Sequence, residues 1–144
     1  MTTTVIPASA ADYTAVLALL ENSQLPTADI DQNLPHFFVT KEGNTITAVI
    51  GLELFNNVAL LRSMATAVTH KSLGLASALV TTLENYAAAK QVKSMYLLTT
   101  TAHTFFEKRG YSIIERSTAP QSIQQSREFS TLCPASALVM KKEL

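Results

Sequence analysis

Lys71, Gly74 and Ala76 stand where a β-rich run, ending near Thr66, gives way to a helical pattern that begins at Leu75. The first amides of a helix have no intrahelical partner, and they share the positive end of the helix dipole. Between Lys71 and Ser77 such amides converge on one spot and make a cradle for a pyrophosphate. Gly74 lets the backbone approach a phosphate closely. Ala76 keeps the helix start narrow, and the side chains of Lys71, Ser72 and Ser77 add donors. The spacing is neither the phosphate loop of nucleotide hydrolases nor the dinucleotide fingerprint, because both need glycines that are absent here. A plain strand-turn-helix connection also uses a glycine and a lysine, and it stands as the alternative.

Arg62 is the second candidate. It lies in a mostly apolar run, and the period-two rule puts it on the face of Leu60 and Met64, with Ser63 facing the other way as a structural residue. A charge there needs a partner. A guanidinium can clamp a carboxylate in two parallel bonds; an internal ion pair, for example to Glu53, is the competing explanation. Glu53 sits on the neighbouring strand and is a candidate general base if burial raises its pKa. Pairing with Arg62, or a place facing water, explains it equally.

Thr99, Thr100 and Thr101 end a short apolar run, at the strand end where α/β proteins place ligands. One of these hydroxyls is a candidate to bond the reacting group, against the bland reading of a β-rich strand end. Arg116 and the stretch Arg127-Glu128-Phe129 either close over an acceptor or form a solvated helix face. Tyr111 reads as a core aromatic. Cys133, before Pro134, has no histidine partner and reads as packing. His36, His70 and His103 make no metal spacing, so no metal is expected; His70 lies next to Lys71, near the phosphate cradle.

The elements that must position these groups follow from pattern. Ser9 and Asp12 fit a short capping motif ahead of a helix carrying Tyr13, Val16, Leu17 and Leu20 on one face. Thr27 caps a short second helix through Ile30 and Leu34, stopped by Pro35. Three strands follow as an antiparallel meander: His36 to Thr40, Thr45 to Phe55 and Val58 to Thr66, with a turn at Lys41-Glu42-Gly43-Asn44. Leu75, Leu79, Leu83 and Tyr86 then mark one long helix to about Lys90. Met95 to Thr100 is a buried strand. Ala102 to Arg109 is a helix stopped by Gly110. Tyr111 to Glu115 and Ala137 to Lys141 are the last strands, with a helix between them from Pro120 to about Glu128. Strand-helix-strand order in the second half implies parallel neighbours and a right-handed crossover. The fold class is α/β, a mixed sheet with helices on its faces.

Bulk properties narrow the function. At 144 residues, one domain over 1–144 with one core is expected. The apolar fraction is 47% and the charged fraction only 15%, a folded rather than a disordered composition. Eleven basic and eleven acidic residues cancel, so no field of one sign recruits nucleic acid or an anionic membrane. The single cysteine and an N-terminus without a basic start or long apolar run point to a cytoplasmic protein with no leader. No apolar stretch reaches the roughly 18 residues of a membrane span.

Taken together, Lys71-x-x-Gly74-x-Ala76 resembles the Arg/Gln-x-x-Gly-x-Gly/Ala acetyl-CoA motif of the GNAT acyltransferase superfamily. Ala102-His-Thr-Phe-Phe106-Glu-Lys-Arg-Gly110-Tyr111 resembles that family's Asn-x-x-Ala-x-x-x-Tyr-Glu-Lys-x-Gly-Phe segment. Leu61-Arg62-Ser63, Leu97 to Ala102 and Glu128 to Ala137 resemble a bacterial branch of arsenic-resistance-associated N-acetyltransferases. The resemblance implies the family's fold with a central V-shaped splay, acetyl-CoA as co-substrate, and Met64, Ala65 and Thr66 holding the pantetheine arm through backbone groups. Ser72, Leu73 and Leu75 would join Lys71, Gly74, Ala76 and Ser77 at the pyrophosphate, and Thr99, Thr100 and Phe106 would line the thiol end. It turns the Arg62 face toward the acceptor. It also exposes departures: Phe106 replaces the tyrosine that often protonates the leaving thiolate, Thr99 replaces an asparagine, and Leu60 stands where some relatives carry a glutamate base.

A free amine must lose a proton before it attacks a thioester. At pH 7 this costs roughly 1.4 kcal/mol for an α-amine of pKa about 8 and roughly 4.6 kcal/mol for a lysine of about 10.4. A site without a strong base therefore tolerates α-amines better. The expectation is an N-acetyltransferase acting on a small amine, an amino acid or amino-acid-like compound, by direct attack on the thioester. Glu53 and Thr100 are its candidate catalytic residues, Arg62 and Arg116 its acceptor-binding ones, and a homodimer is its possible assembly. A coenzyme A sensor with weak catalysis, and a protein or peptide N-acetyltransferase, are the alternatives.

Overall fold

The computed structural model describes residues 4–71, 74–132 and 136–144. Its strands are β1 (Val5–Pro7), β2 (Phe37–Glu42), β3 (Thr45–Phe55), β4 (Val58–Thr66), β5 (Ser94–Thr99), β6 (Ser112–Ile114) and β7 (Leu138–Glu143). Its helices are α1 (Tyr13–Asn22), α2 (Leu75–Ala89), α3 (His103–Glu107) and α4 (Gln121–Gln124). The strands hydrogen-bond in the order β1-β2-β3-β4-β5-β7-β6, a mixed seven-stranded sheet. The chain divides into two compact units, Met1–Leu52 with Ser63–Tyr86, and Glu53–Arg62 with Ala87–Leu144.

In the first unit the expected capping motif opens the helical segment. The Ser9 amide donates to Asp12 Oδ2 at 2.9 Å, and Lys41 Nζ pairs with Asp12 Oδ1 at 3.0 Å. A short 3-10 turn, Ala10–Asp12, leads into α1. Val16 and Leu20 of α1 are buried against Ile30, Leu34, Phe37, Val39, Ile46, Val49 and Ala65. The helix expected from Thr27 through Leu34 is not formed; two separate turns, Ile30 to Thr27 and Leu34 to Asp31, stand in its place. Asp31 spends its carboxylate on the Asn33 amide at 2.8 Å, an alternative to helix that short polar side chains offer. Leu34, ahead of Pro35, takes a positive φ of 49°, consistent with the ban that a proline places on helical backbone before it. β1 was not anticipated, since three residues carry no measurable period; it pairs antiparallel with β2, Val5 opposite Thr40. The β2–β3 hairpin turns through Gly43 at φ +62°. Phe37 faces Gly51 across this ladder, and a Cβ on Gly51 would stand 2.6 Å from the Phe37 ring. Gly51 is thus the space in which the ring lies.

In the second unit β4 pairs parallel with β5 over three residues only, Val58–Leu60 against Ser94–Tyr96, as the long helix between them requires. The last strands depart from expectation. β7 lies between β5 and β6 and is antiparallel to both, pairing along six residues of β5 and three of β6. The slot one strand wide beside β5 is filled by the returning C-terminal strand, which satisfies both ladders at once. The helix expected from Pro120 to about Glu128 ends at Gln124. The Ser126 hydroxyl donates back to the Ile123 carbonyl at 2.7 Å, which competes with helical continuation. A π-helical turn, Glu128–Leu132, follows. Leu60, Tyr96, Ala119, Ile123, Phe129 and Val139 make this unit's buried cluster.

Gly51→Ala should cost about 1–3 kcal/mol through overpacking against Phe37, read as a lower urea midpoint with unchanged slope. Asp12 gives a pH test. Burial pushes its carboxyl up, but the Ser9 amide and the Lys41 ammonium outweigh burial and hold it below its usual value. A depressed folded pKa contributes stability above the unfolded pKa that is lost as pH falls through the folded one. Asp12→Asn should therefore destabilise by about 1 kcal/mol at pH 7, with the gap to wild type closing below about pH 4 in paired thermal melts.

Candidate active site

β4 carries a left-handed residue in its middle: Ser63 has φ +55° and is buried. Leu60, Leu61, Arg62 and Ser63 are all buried in succession, so both faces of the strand are covered here. The left-handed Ser63 falls between Arg62 and Met64, the two residues that period two puts on one face. Ala65 turns into the core of the first unit, while Met64 and Thr66 are half-buried.

After β4 the Ala67 amide donates to the Thr47 carbonyl at 2.8 Å, and a 3-10 turn, Val68–His70, follows. His70 bonds Thr69 Oγ1 through Nδ1 at 2.8 Å and the Glu42 carboxylate through Nε2. Lys71 is exposed and extended. Ser72 and Leu73, both expected at the pyrophosphate, lie outside the described residues. Gly74 is exposed with φ +78°, and among the described residues nothing lies within 4 Å of where a Cβ would stand. The first bond of α2 runs from the Ala78 amide to the Gly74 carbonyl at 3.1 Å. The amides of Leu75, Ala76 and Ser77 precede that bond. Leu75 is buried and anchors the helix start; Ala76 and Ser77 are half-buried. A left-handed glycine with open space beside it, followed by helix-entry amides, fits the approach of a diphosphate.

In the second unit Arg62 is deeply buried, its side chain 3% exposed. Its Nη1 donates to Glu53 Oε1 at 2.7 Å, and its Nε lies 3.1 Å from Glu128 Oε2. The two carboxylates differ in exposure: the Glu53 side chain is 33% exposed and the Glu128 side chain 7%. The pairing with Glu53 was one of the sequence alternatives; the role of Glu128 as a second partner was not anticipated. The sequence shows only a charged pair, Arg127-Glu128, beside Phe129, and the π-helical turn is what buries the glutamate while leaving Arg127 exposed. No helical or strand period announces such a turn. Arg116 Nη2 donates to the Ala137 carbonyl at 2.9 Å, and its guanidinium lies 4.8 Å from the centre of the Phe129 ring.

Thr99 Oγ1 accepts the Ala102 amide at 2.9 Å and the Thr101 amide at 3.3 Å, so it closes the turn that leads into α3. Thr100 is exposed. Phe106 is buried, edge-on to Phe105 at 5.1 Å and to Tyr111 at 5.4 Å. Tyr111 is a buried aromatic, as expected. Cys133 lies outside the described residues. His36 Nδ1 bonds the Tyr86 hydroxyl at 2.5 Å. Among the described residues no three of His, Cys, Asp and Glu are placed to hold a metal, and no helix is long and apolar enough to cross a membrane.

A sequence model of the acetyltransferase (GNAT) family matches residues 8–111. No curated protein matches the sequence. Among solved structures, the N-acetylglutamate synthase of Neisseria gonorrhoeae, complexed with coenzyme A and N-acetyl-glutamate, superposes with TM-score 0.85 at 14% identity, over 100% of this chain and 35% of that one. This chain thus spans about a third of the synthase's length. A Mycobacterium tuberculosis protein in complex with CoA superposes with TM-score 0.82 at 18% identity, covering 98% and 99% of the two chains. The PaiA N-acetyltransferase of Thermoplasma acidophilum, in complex with coenzyme A, gives 0.74 at 11% identity over 100% of both. At such identities the likeness establishes the fold.

Gly74→Val places a β-branched side chain at a left-handed backbone position, a strain of about 1–2 kcal/mol. It should weaken coenzyme A binding about tenfold by calorimetry, as 1.4 kcal/mol implies, while Gly43→Ala, left-handed in the remote hairpin, should leave the affinity as it is.

Proposed function

The chain belongs to the acetyltransferase (GNAT) family, and on that premise we propose that it transfers an acetyl group from acetyl-CoA to the amine of a small molecule, an amino acid or amino-acid-like compound. The observation that carries the reading is the entry to α2, where left-handed Gly74 opens the backbone ahead of the helix amides. Lys71 and the amides from Gly74 to Ser77 hold the coenzyme diphosphate. Met64, Ala65 and Thr66, following the left-handed Ser63, present backbone groups to the pantetheine arm. An amide near Met64 or Ala65 stabilises the oxyanion that forms during attack.

Arg62 and Arg116 supply the positive charge for the acceptor's carboxylate. Glu53 is the candidate to take the amine's proton, since its carboxylate sits at the boundary of the buried cluster with one third of its side chain exposed. The exposed Thr100 hydroxyl is the candidate donor toward the reacting group. The acetyl carbon then exchanges its bond to sulfur for a bond to nitrogen, and the thiolate takes up a proton. Acceptors with α-amines suit this site, because deprotonating a terminal α-amine at pH 7 costs roughly 3 kcal/mol less than deprotonating lysine, and free amino acids, whose own carboxylate raises the amine pKa, lie between these limits.

A second reading, a coenzyme A sensor, draws on Phe106 and Leu60, which carry no proton donor or base where relatives do. Thiol release from acetyl-CoA over a panel of α-amino acids separates the two. The transferase should turn over at least one of them, with a rate that rises between about pH 6 and 10 as the amine deprotonates. Lys71→Ala should raise the KM for acetyl-CoA about tenfold, the effect of one lost charge-assisted bond, with kcat within about twofold. Tight acetyl-CoA binding with no turnover on any amine would favour the sensor.

A further inference from the structure

The segment that leads into the coenzyme site is held by polar ties rather than by packing. The 3-10 turn Val68–His70 buries none of its residues, and Val68 is 83% exposed. Segments with few buried apolar contacts open at little cost. Yet this one immediately precedes Lys71, whose charge the proposed function spends on the coenzyme diphosphate. The described residues supply two ties to it, and both end on the β2–β3 hairpin. The Ala67 amide donates to the Thr47 carbonyl at 2.8 Å, and His70 pairs through Nε2 with the Glu42 carboxylate.

The hairpin offers both partners from one irregular stretch. Thr40 stands opposite Ala48 and Lys41 opposite Ile46, so Thr47 is the extra residue of a bulge, a device that re-aims the residues beside it. The buried hydroxyls of Thr47 and Thr40 share a hydrogen bond of 2.7 Å, which fixes Thr47 within the hairpin. Glu42 ends β2, one residue before the left-handed Gly43. In the sheet β3 lies between β2 and β4, so the Glu42–His70 pair joins β2 to the chain that leaves β4. The ring also has a fixed direction. An ionised carboxylate only accepts, so Nε2 carries a proton. Nδ1 lies 2.8 Å from Thr69 Oγ1, accepting from it in the neutral ring and donating to it in the imidazolium. Both ring nitrogens are therefore engaged within the protein, and neither is left to serve a phosphate.

We propose that Glu42 and His70 are positioning residues for Lys71, and that the hairpin sets the loop after β4 in its coenzyme-binding shape before the coenzyme arrives. This rests on the reading that Lys71 meets the coenzyme diphosphate. A segment ordered in advance does not have to be ordered on binding, and affinity gains by that difference. His70 acts through the residue that follows it and makes no contact with the coenzyme. The Glu42 side chain is 70% exposed, and ion pairs so open to water add little to the stability of a fold. The pair's effect therefore falls on coenzyme affinity and not on folding.

Calorimetry on the full chain with coenzyme A and with dephospho-coenzyme A tests this, alongside thermal melts. Glu42→Ala and His70→Ala should each weaken coenzyme A about fivefold, or about 1 kcal/mol at 1.4 kcal/mol per decade, and the double variant should lose no more than either single one. Glu42→Gln, whose amide oxygen still accepts from Nε2, should recover most of the loss. On a Lys71→Ala background the same substitutions should cost less than about twofold, since coupled residues are not additive. Dephospho-coenzyme A should lose the same factors as coenzyme A, and melting temperatures should move by less than about 4 °C. Equal fivefold losses with and without Lys71 overturn the proposal, and so does a dephospho-coenzyme that is indifferent to His70, which would put the ring on the 3′-phosphate. A melting temperature that falls in step with affinity makes the pair a prop of the fold and overturns it too. If the single variants bind as wild type does, the positioning role is wrong while the coenzyme reading stands. If Lys71→Ala binds coenzyme A as wild type does, the role given to Lys71 and this proposal fall together.

Discussion

A guanidinium that is almost wholly buried must keep its carboxylates, and in the second unit much else follows from that requirement. Arg62 sits on β4, Glu53 on β3 and Glu128 on the π-helical turn, so one cation ties three elements. Removing Arg62 takes from both Glu53 and Glu128 a cation they are paired with, and breaking a buried pair costs about 3–5 kcal/mol. The helical turn around Glu128 is held to the same end by Ser126, whose hydroxyl stops α4 and whose carbonyl receives Ser130. The local sequence is thus arranged to end one helix early and turn a glutamate inward.

The residue after Arg62 matters as much. Left-handed backbone at Ser63 costs about 1–2 kcal/mol for a residue with a side chain, and it falls in a strand that could have run straight. The consequence is a strand whose two ends serve different purposes. Val58–Leu60 make an ordinary parallel ladder with β5, and Arg62 turns to its carboxylates. Beyond Ser63 the chain leads to Lys71 and Gly74.

How much of this was legible in the sequence depended on the kind of signal. The helix α2 and strands β2 to β5 came from periodicity over long segments, where many residues vote together. The capping motif at Ser9 was readable because its two residues are local. What failed was short or competitive. β1 has three residues; the 27–34 segment lost its helix to Asp31 and to Pro35; β7 entered a slot that no local pattern marks, because strand order is set by which edge remains unpaired. At the site, the residues of the α2 entry were legible from chain order, and the Arg62–Glu53 pair from adjacency of strands. Glu128 was not, since its burial comes from a π turn and its partner is 66 positions away in the chain (128 − 62). The left-handed serine between Arg62 and Met64 was not legible either, since no residue type announces it.

The departures from the family's pattern bear on where the proposed reaction needs help. Phe106 packs edge-on between Phe105 and Tyr111, and a hydroxyl added there would need a partner in an aromatic cluster. The loss of an acid at that position is tolerable on chemical grounds. A free thiol has a pKa near 8.5, so its thiolate leaves without a donor at small cost near neutral pH, about 2 kcal/mol for the 1.5 units between that value and pH 7. The amine stands on the other side. It arrives as an ammonium, it cannot attack until it has lost a proton, and a carboxylate beside it raises its pKa further. A site that binds the ammonium tightly therefore makes its own first step harder unless the same carboxylate that binds it also receives the proton.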